Sequence, residues 1–219
     1  MDGPGRRPVI SPRVVKGGLV EVEVTSGRVL RTIALQYNPD ALTRTVVVQA
    51  AGGDTGQALR LKGVAVETLR LEAEIDATDR LEFPEQNPGT VEFGIHPQLA
   101  ALELLVNPRA TTLVDNDALA ARGMLEVLPM ESPLTLFVWS KQRVVPVRVT
   151  ELSIAEEAFD TLLNPIRAKV TLGMRVLSVD DLGFGHRGGA LFMSHLRNKE
   201  ALASRAGSAA LSALGLEVI

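Results

Sequence analysis

Cysteine is absent from the 219 residues. That removes disulfides, thiolate metal ligands and cysteine nucleophiles together. No apolar run approaches the roughly 20 residues of a membrane helix, which predicts no membrane insertion. Met1 to Arg13 carries proline, glycine and arginine but no apolar core of a signal peptide, so synthesis and assembly in the cytoplasm are expected. Histidine occurs only as His96, His186 and His195, with no second histidine or acidic cluster at metal spacing beside His96. No Gly-x-Ser-x-Gly elbow, paired histidines or nucleotide loop is present. The glycines of residues 52–57 lack the spacing and following lysine of a phosphate cradle. Glu156 and Glu157 are a carboxylate pair, but neighbours on a strand point to opposite faces and cannot share a substrate. Catalysis needs convergent activated groups, so neither an enzyme nor a cofactor is expected. A net charge of −3 argues against a general nucleic-acid binder.

What is present is alternation. Hydrophobic residues make up 46% and charged residues 22%, the balance of a soluble globular domain. Ile166, Ala168, Val170, Leu172, Met174 and Val176 alternate with Arg167, Lys169, Thr171, Gly173 and Arg175, which predicts a strand with one apolar and one cationic face. Over Val144 to Ala158, Val145, Val147 and Val149 hold odd positions but Leu152 and Ile154 even ones. That shift predicts a β-bulge near Thr150 and Glu151. Leu134 to Trp139 is apolar on both faces and calls for cover on both sides, by its own barrel or by a neighbouring subunit.

Upstream, Met1 to Lys16 reads as a flexible arm. Leu19 to Val24 and Val29 to Tyr37 read as a hairpin about Ser26-Gly27, with Val20, Val22 and Val24 on one face. Leu42 to Gln49 is a further extended piece. Val64 to Asp76 is a long strand whose polar face, with Glu72 and Glu74, is acidic where that of Arg167, Lys169 and Arg175 is basic. Either both faces meet water, or they meet each other across a ladder or a subunit boundary. Pro97 to Val106 predicts the one helix of the β-rich body, and Thr111 to Ser132 reads as loop. Asp115 and Asp117 lack the glycine and distal glutamate of a calcium loop. After Leu177, the run Gly183, Gly185, Gly188 and Gly189 reads as a hinge, and Ala190 to Ala206 as a helix with Phe192 and Leu196 on its apolar stripe. A helix so short is marginal alone, so it is expected to dock on its own body or on a partner. The division is 1–16 arm, 17–178 β body, 179–219 hinge and helical extension.

The series Gln36-Tyr37-Asn38-Pro39, Glu72 to Asp79, His96-Pro97-Gln98-Leu99, Pro133 to Trp139, Glu156 to Asp160 and Asn164 to Ala168 resembles the tube-like adaptor proteins of contractile injection systems, the phage-tail-like particles. The resemblance covers about Val15 to Ser178. It implies a tail-tube fold: a mainly β protein, a barrel or curled antiparallel sandwich with one flanking helix. It also implies a hexameric ring that joins the inner tube protein to hub, spike and baseplate components, in a particle released or acting at the cell envelope. Many relatives carry a C-terminal LysM-type module; here the glycine run and the Ala190 to Ala206 helix stand in its place, so no peptidoglycan-binding role is carried over. The alternative reading is a β-barrel binding module for a ligand, effector or partner protein. For a ring, Glu72 and Glu74 against Arg167, Lys169 and Arg175 are the expected subunit interface, with Phe192 and Leu196 the expected partner-docking stripe.

Overall fold

The alternating segments become the strands β1 (Gly18–Val22), β2 (Val29–Ala34), β3 (Leu42–Val47), β4 (Val66–Asp76), β5 (Leu134–Ser140), β6 (Arg143–Phe159) and β7 (Pro165–Val176). The computed structural model describes residues 14–50, 60–123, 132–207 and 211–214. The first thirteen residues of the expected arm, the loop at 52–57 and Met124 to Val127 lie outside them. The strands form one antiparallel sheet in the order β2-β1-β5-β6-β7-β4-β3. The protein is mainly β, as the alternation requires.

Chain length forces this sheet to curl. β2 and β3 lie at opposite edges, yet only residues 35–41 join them. The eight Cα–Cα steps from Ala34 to Leu42 would reach the roughly 29 Å of six flat strand spacings only if fully extended, and this connection bends at Gln36, Tyr37 and Asp40. The curl brings the end of β2 to the end of β4, and Gln36 stitches them. Its Nε2 donates to the Asp76 carbonyl at 2.6 Å, and its Oε1 accepts from the Asp76 amide at 3.0 Å. A side-chain amide thus replaces the ladder that would close a barrel, while β2 and β3 each keep one strand neighbour.

The core fills the inside of the curl. Ala168, Val170, Leu172, Met174 and Val176 of β7 are buried, with Leu69, Leu71 and Ala73 of β4 on one side and Val145 and Val147 of β6 on the other. Leu19 and Phe137 complete it from β1 and β5. The expected bulge is present: Val149 pairs with Met174 and Glu151 with Gly173, leaving Thr150 over. Gly173 is required there, because a Cβ would lie 2.9 Å from that of Glu151.

Helices occupy the connections: α1 (Thr78–Leu81), α2 (Pro88–Phe93), α3 (His96–Glu103), α4 (Ala110–Ala121), α5 (Val179–Leu182) and α6 (Arg187–Ala203), with 3-10 turns at Pro84–Gln86 and Leu211–Leu214. Three expectations change. The β body holds more than one helix. The anticipated single helix begins at His96 and ends at Glu103, burying Leu99 and Leu102 against the core. The segment read as loop from Thr111 is largely α4, which buries none of its residues. Its alanines and leucines favour helix, but Thr111-Thr112 and Asp115-Asn116-Asp117 hide any stripe.

The third change concerns the outer face of β5. Val20, Val22 and Val24 point away from the main core, and with Leu134, Leu136, Val138 and Val144 they form a second apolar layer. Leu182 of α5 and Leu191 of α6 cover it. The apolar outer face therefore meets the chain's own C-terminal helices, and no neighbouring subunit is needed there.

Candidate assembly surfaces

α6 is fastened at several points. Its N-cap, His186, accepts from the Gly188 amide through Nδ1 at 3.0 Å. Arg187 donates to the carbonyls of Val24 and Thr25 at 3.0 and 3.2 Å. Further along, Asn198 donates to Gln142, and Lys199 Nζ reaches Glu67 Oε2 at 2.9 Å. Gly188 and Gly189 lie inside the first helical turn and are buried; a Cβ on Gly189 would sit 2.0 Å from the Gly183 carbonyl oxygen. Gly188 and Gly189 are thus close-packed against this corner, whereas Gly183 and Gly185 are exposed with open space around them. Phe192 is 5% exposed within the main core, and Leu196 packs against that core. Both belong to the contact between α6 and its own sheet.

Glu67 shares the inward face of β4 with Leu69 and Leu71 and is buried. Burial pushes its carboxyl up, but hydrogen bonds from Arg44 at 2.8 Å and Lys199 at 2.9 Å, with their charges, outweigh this and hold it below the usual range. His195 is buried beside this cluster, and its Nδ1 has no hydrogen-bond partner.

The acidic and basic strand faces do meet, inside one chain. β4 and β7 are ladder neighbours, with Glu72 opposite Thr171, Glu74 opposite Lys169 and Asp76 opposite Arg167. The cations, however, are held elsewhere. Lys169 lies 2.9 Å from Glu157 of β6, and this hydrogen bond and charge raise its pKa. Arg167 Nε is 3.4 Å from the other Glu157 oxygen but lacks hydrogen-bond geometry and is buried without a partner, so that pair is loose. Arg175 holds Asp181 at 2.7 Å. Among the described residues Glu72 and Glu74 have no ion pair; with Asp40, Thr43, Arg70 and Lys169 they line an open hollow of about 470 Å³.

Three surfaces escape the sequence reading. β3 is an edge strand that exposes Val46 and Val47, and Val48 just after it is exposed too. A second cleft, of about 430 Å³, lies between the free edge of β2 and β4, lined by Ile33, Leu35, Ala73, Leu102, Val170 and Leu172. The third is the β6–β7 turn, where Leu162 and Leu163 are 78% and 76% exposed. Leu163 has φ 66°, which costs a leucine about 1–2 kcal/mol. Asp160 fixes the turn by accepting from the amides of Leu162 and Asn164 and from Asn164 Nδ2, each at 2.8 Å. Alternation cannot report these surfaces, because it marks which residues face the core and not which strand ends a sheet.

The residues carrying the family resemblance perform backbone work. Gln36 stitches the sheet, and Asn38 pairs with the Gly17 amide and the Val15 carbonyl. Asn164 fixes the β6–β7 turn and donates to the Glu92 carbonyl. No grouping of histidine, aspartate and glutamate that could hold a metal occurs among the described residues. Among them, too, no helix is long and apolar enough to cross a membrane.

No protein-family model matches the chain, and no curated protein does. Two solved structures are similar in part. One is the "tail of empty GTA particle computed with helical refinement, C6 symmetry", at 14% identity and TM-score 0.28, over 73% of this chain and 90% of that one. The other is the "virion of native gene transfer agent (GTA) particle", at 12% identity and TM-score 0.27 over the same shares.

Proposed function

We propose that the chain is a structural subunit of a phage-tail-like particle, one that closes with its own copies into a ring and adapts the inner tube to hub, spike or baseplate. The observation that carries this reading is the open sheet: among the described residues β2 and β3 both end it unpaired, and the end of β3 and the residue after it present exposed Val46, Val47 and Val48. Unpaired edges are templates for pairing with another chain, and proteins that stay monomeric blunt them with charge, proline or bulges. Val46 to Val48 has none of these. A heterologous contact between different patches of successive copies closes into a ring when its rotation allows. The order of the sequence landmarks supports the same class of protein. Among the charged positions, Glu72 and Glu74 are free to meet a neighbour, whereas Arg167, Lys169 and Arg175 would first leave Glu157 and Asp181.

The cleft beside β2 favours a second reading, a binding module for an extended apolar segment. Native mass spectrometry and negative-stain electron microscopy of the purified chain separate them. Closed rings that dissociate in Val47→Lys support the structural reading. A monomer at every concentration, also in the presence of tube and sheath proteins, overturns it.

A further inference from the structure

Two of the chain's three histidines lie at one helix, His186 capping its start and His195 buried along its length. His186 caps α6 by accepting from the Gly188 amide through Nδ1, and an imidazole nitrogen accepts only while it carries no proton. Among the described residues, the only other charged or titratable side chain lining the hollow it shares with Val24 and Thr25 is Arg187. The nearby carboxylates of α5 are taken: Asp180 by the Val64 amide and Asp181 by Arg175. His195, two and a half turns on, is 7% exposed, with a buried and unpartnered Nδ1. The charged groups acting on it are Lys199 of its own helix, Glu67 of β4, Arg143 of β6 and Arg44 of β3. Three of these are cations, and the one carboxylate already serves Arg44 and Lys199. A proton on the buried His195 would add a fourth cation to that half-exposed group.

We propose that α6 is a proton-sensitive clasp: it stays seated on the sheet while His186 and His195 are uncharged, and protonating them releases it and uncovers the core surface under Phe192 and Leu196, with the part of the outer apolar layer that Leu191 covers. Burial, and then the charge of Lys199, push the His195 imidazole below its ordinary range. A histidine depressed in the folded state leaves stability intact above its unfolded value, about 6.5, and erodes it as pH falls toward the folded value. Carboxylates titrate well below that window. The clasp does not depend on the assembly reading.

Hydrogen exchange of the full chain, expressed as protection factors at about pH 7.5 and about pH 5.5, tests it. α6 amides should lose protection, by up to about tenfold per pH unit from His195, while β7 amides keep theirs. The double variant His186→Asn with His195→Gln retains a cap acceptor and a neutral polar ring substitute, and should make α6 insensitive to pH in this window. Should His195→Gln weaken docking at both values, the ratio between them remains the readout. Proton NMR of the wild-type imidazoles gives a second measure, in which His195 titrates below about 6.5. Equal α6 protection at the two pH values, an equal loss in the double variant, or a His195 titration at or above the ordinary value would each overturn the proposal.

Discussion

Phe192→Ala separates a helix that belongs to its own sheet from one reserved for a partner. Phe192 is 5% exposed, inside the cluster that also holds Val170 and Leu172. Truncating a core phenylalanine costs about 3–5 kcal/mol. In a chain of this length each kcal/mol moves Tm by about 2–4 °C, so the full cost corresponds to a fall of about 6–20 °C. The remaining fastenings of α6, through Arg187, Asn198 and Lys199, are exposed or half-exposed hydrogen bonds, each worth about 0.5–1.5 kcal/mol. Together with the packing of Leu191, Met193 and Leu196 they are of the same order as the loss, so α6 becomes the least stable part of the fold and should open before the sheet melts. Calorimetry should show the lower Tm, and hydrogen exchange should show protection lost across α6 and retained in β7. An unchanged Tm with α6 still protected would refute the assignment of Phe192 to its own chain's core.

Val170→Asp places an unpaired charge at a position 0% exposed between β4 and β6, and should prevent folding; a soluble protein with a normal melt would contradict the register. Glu67→Gln should destabilise by about 1–3 kcal/mol by leaving Arg44 and Lys199 without their carboxylate. Because the folded pKa of Glu67 lies below the usual 4.5, its contribution is present above that value and lost as pH falls through the folded one, so the variant should show a shallower loss of stability on acidification. Leu163→Gly should raise stability by up to about 1 kcal/mol by relieving the positive φ, visible as a higher denaturant midpoint; a lower midpoint would mean the side chain packs within its own chain.

β7 shows why so much of the sheet was legible and what was not. Its alternation runs unbroken from Ile166 to Val176, and all but the first of its apolar positions are buried. The bulge at Thr150 was equally legible, because a one-residue shift moves every later side chain to the other face. α4 was not, since a helix that buries nothing leaves no stripe. The outer layer on β5 shows a different limit. Leu134 to Trp139 has no strict alternation: apolar residues on both faces announce two covers, but the pattern cannot say that the second is α6 of the same chain. The charge pairs show the same limit. β4 and β7 have opposite polar faces and do pair, yet Glu157, left over at the bulged end of β6, takes Lys169 and lies beside Arg167, while Asp181 of α5 takes Arg175. Phe192 and Leu196 are legible as a stripe, but a stripe does not name what it faces.

The most direct measurement is the mass of the assembled wild-type chain by native mass spectrometry, followed across a dilution series and beside Val47→Lys. The account predicts one closed oligomer with a fixed subunit number, lost in the edge variant while the monomer's melting temperature is kept. A wild-type chain that remains monomeric throughout, or an open ladder of masses that grows without closing, would contradict it.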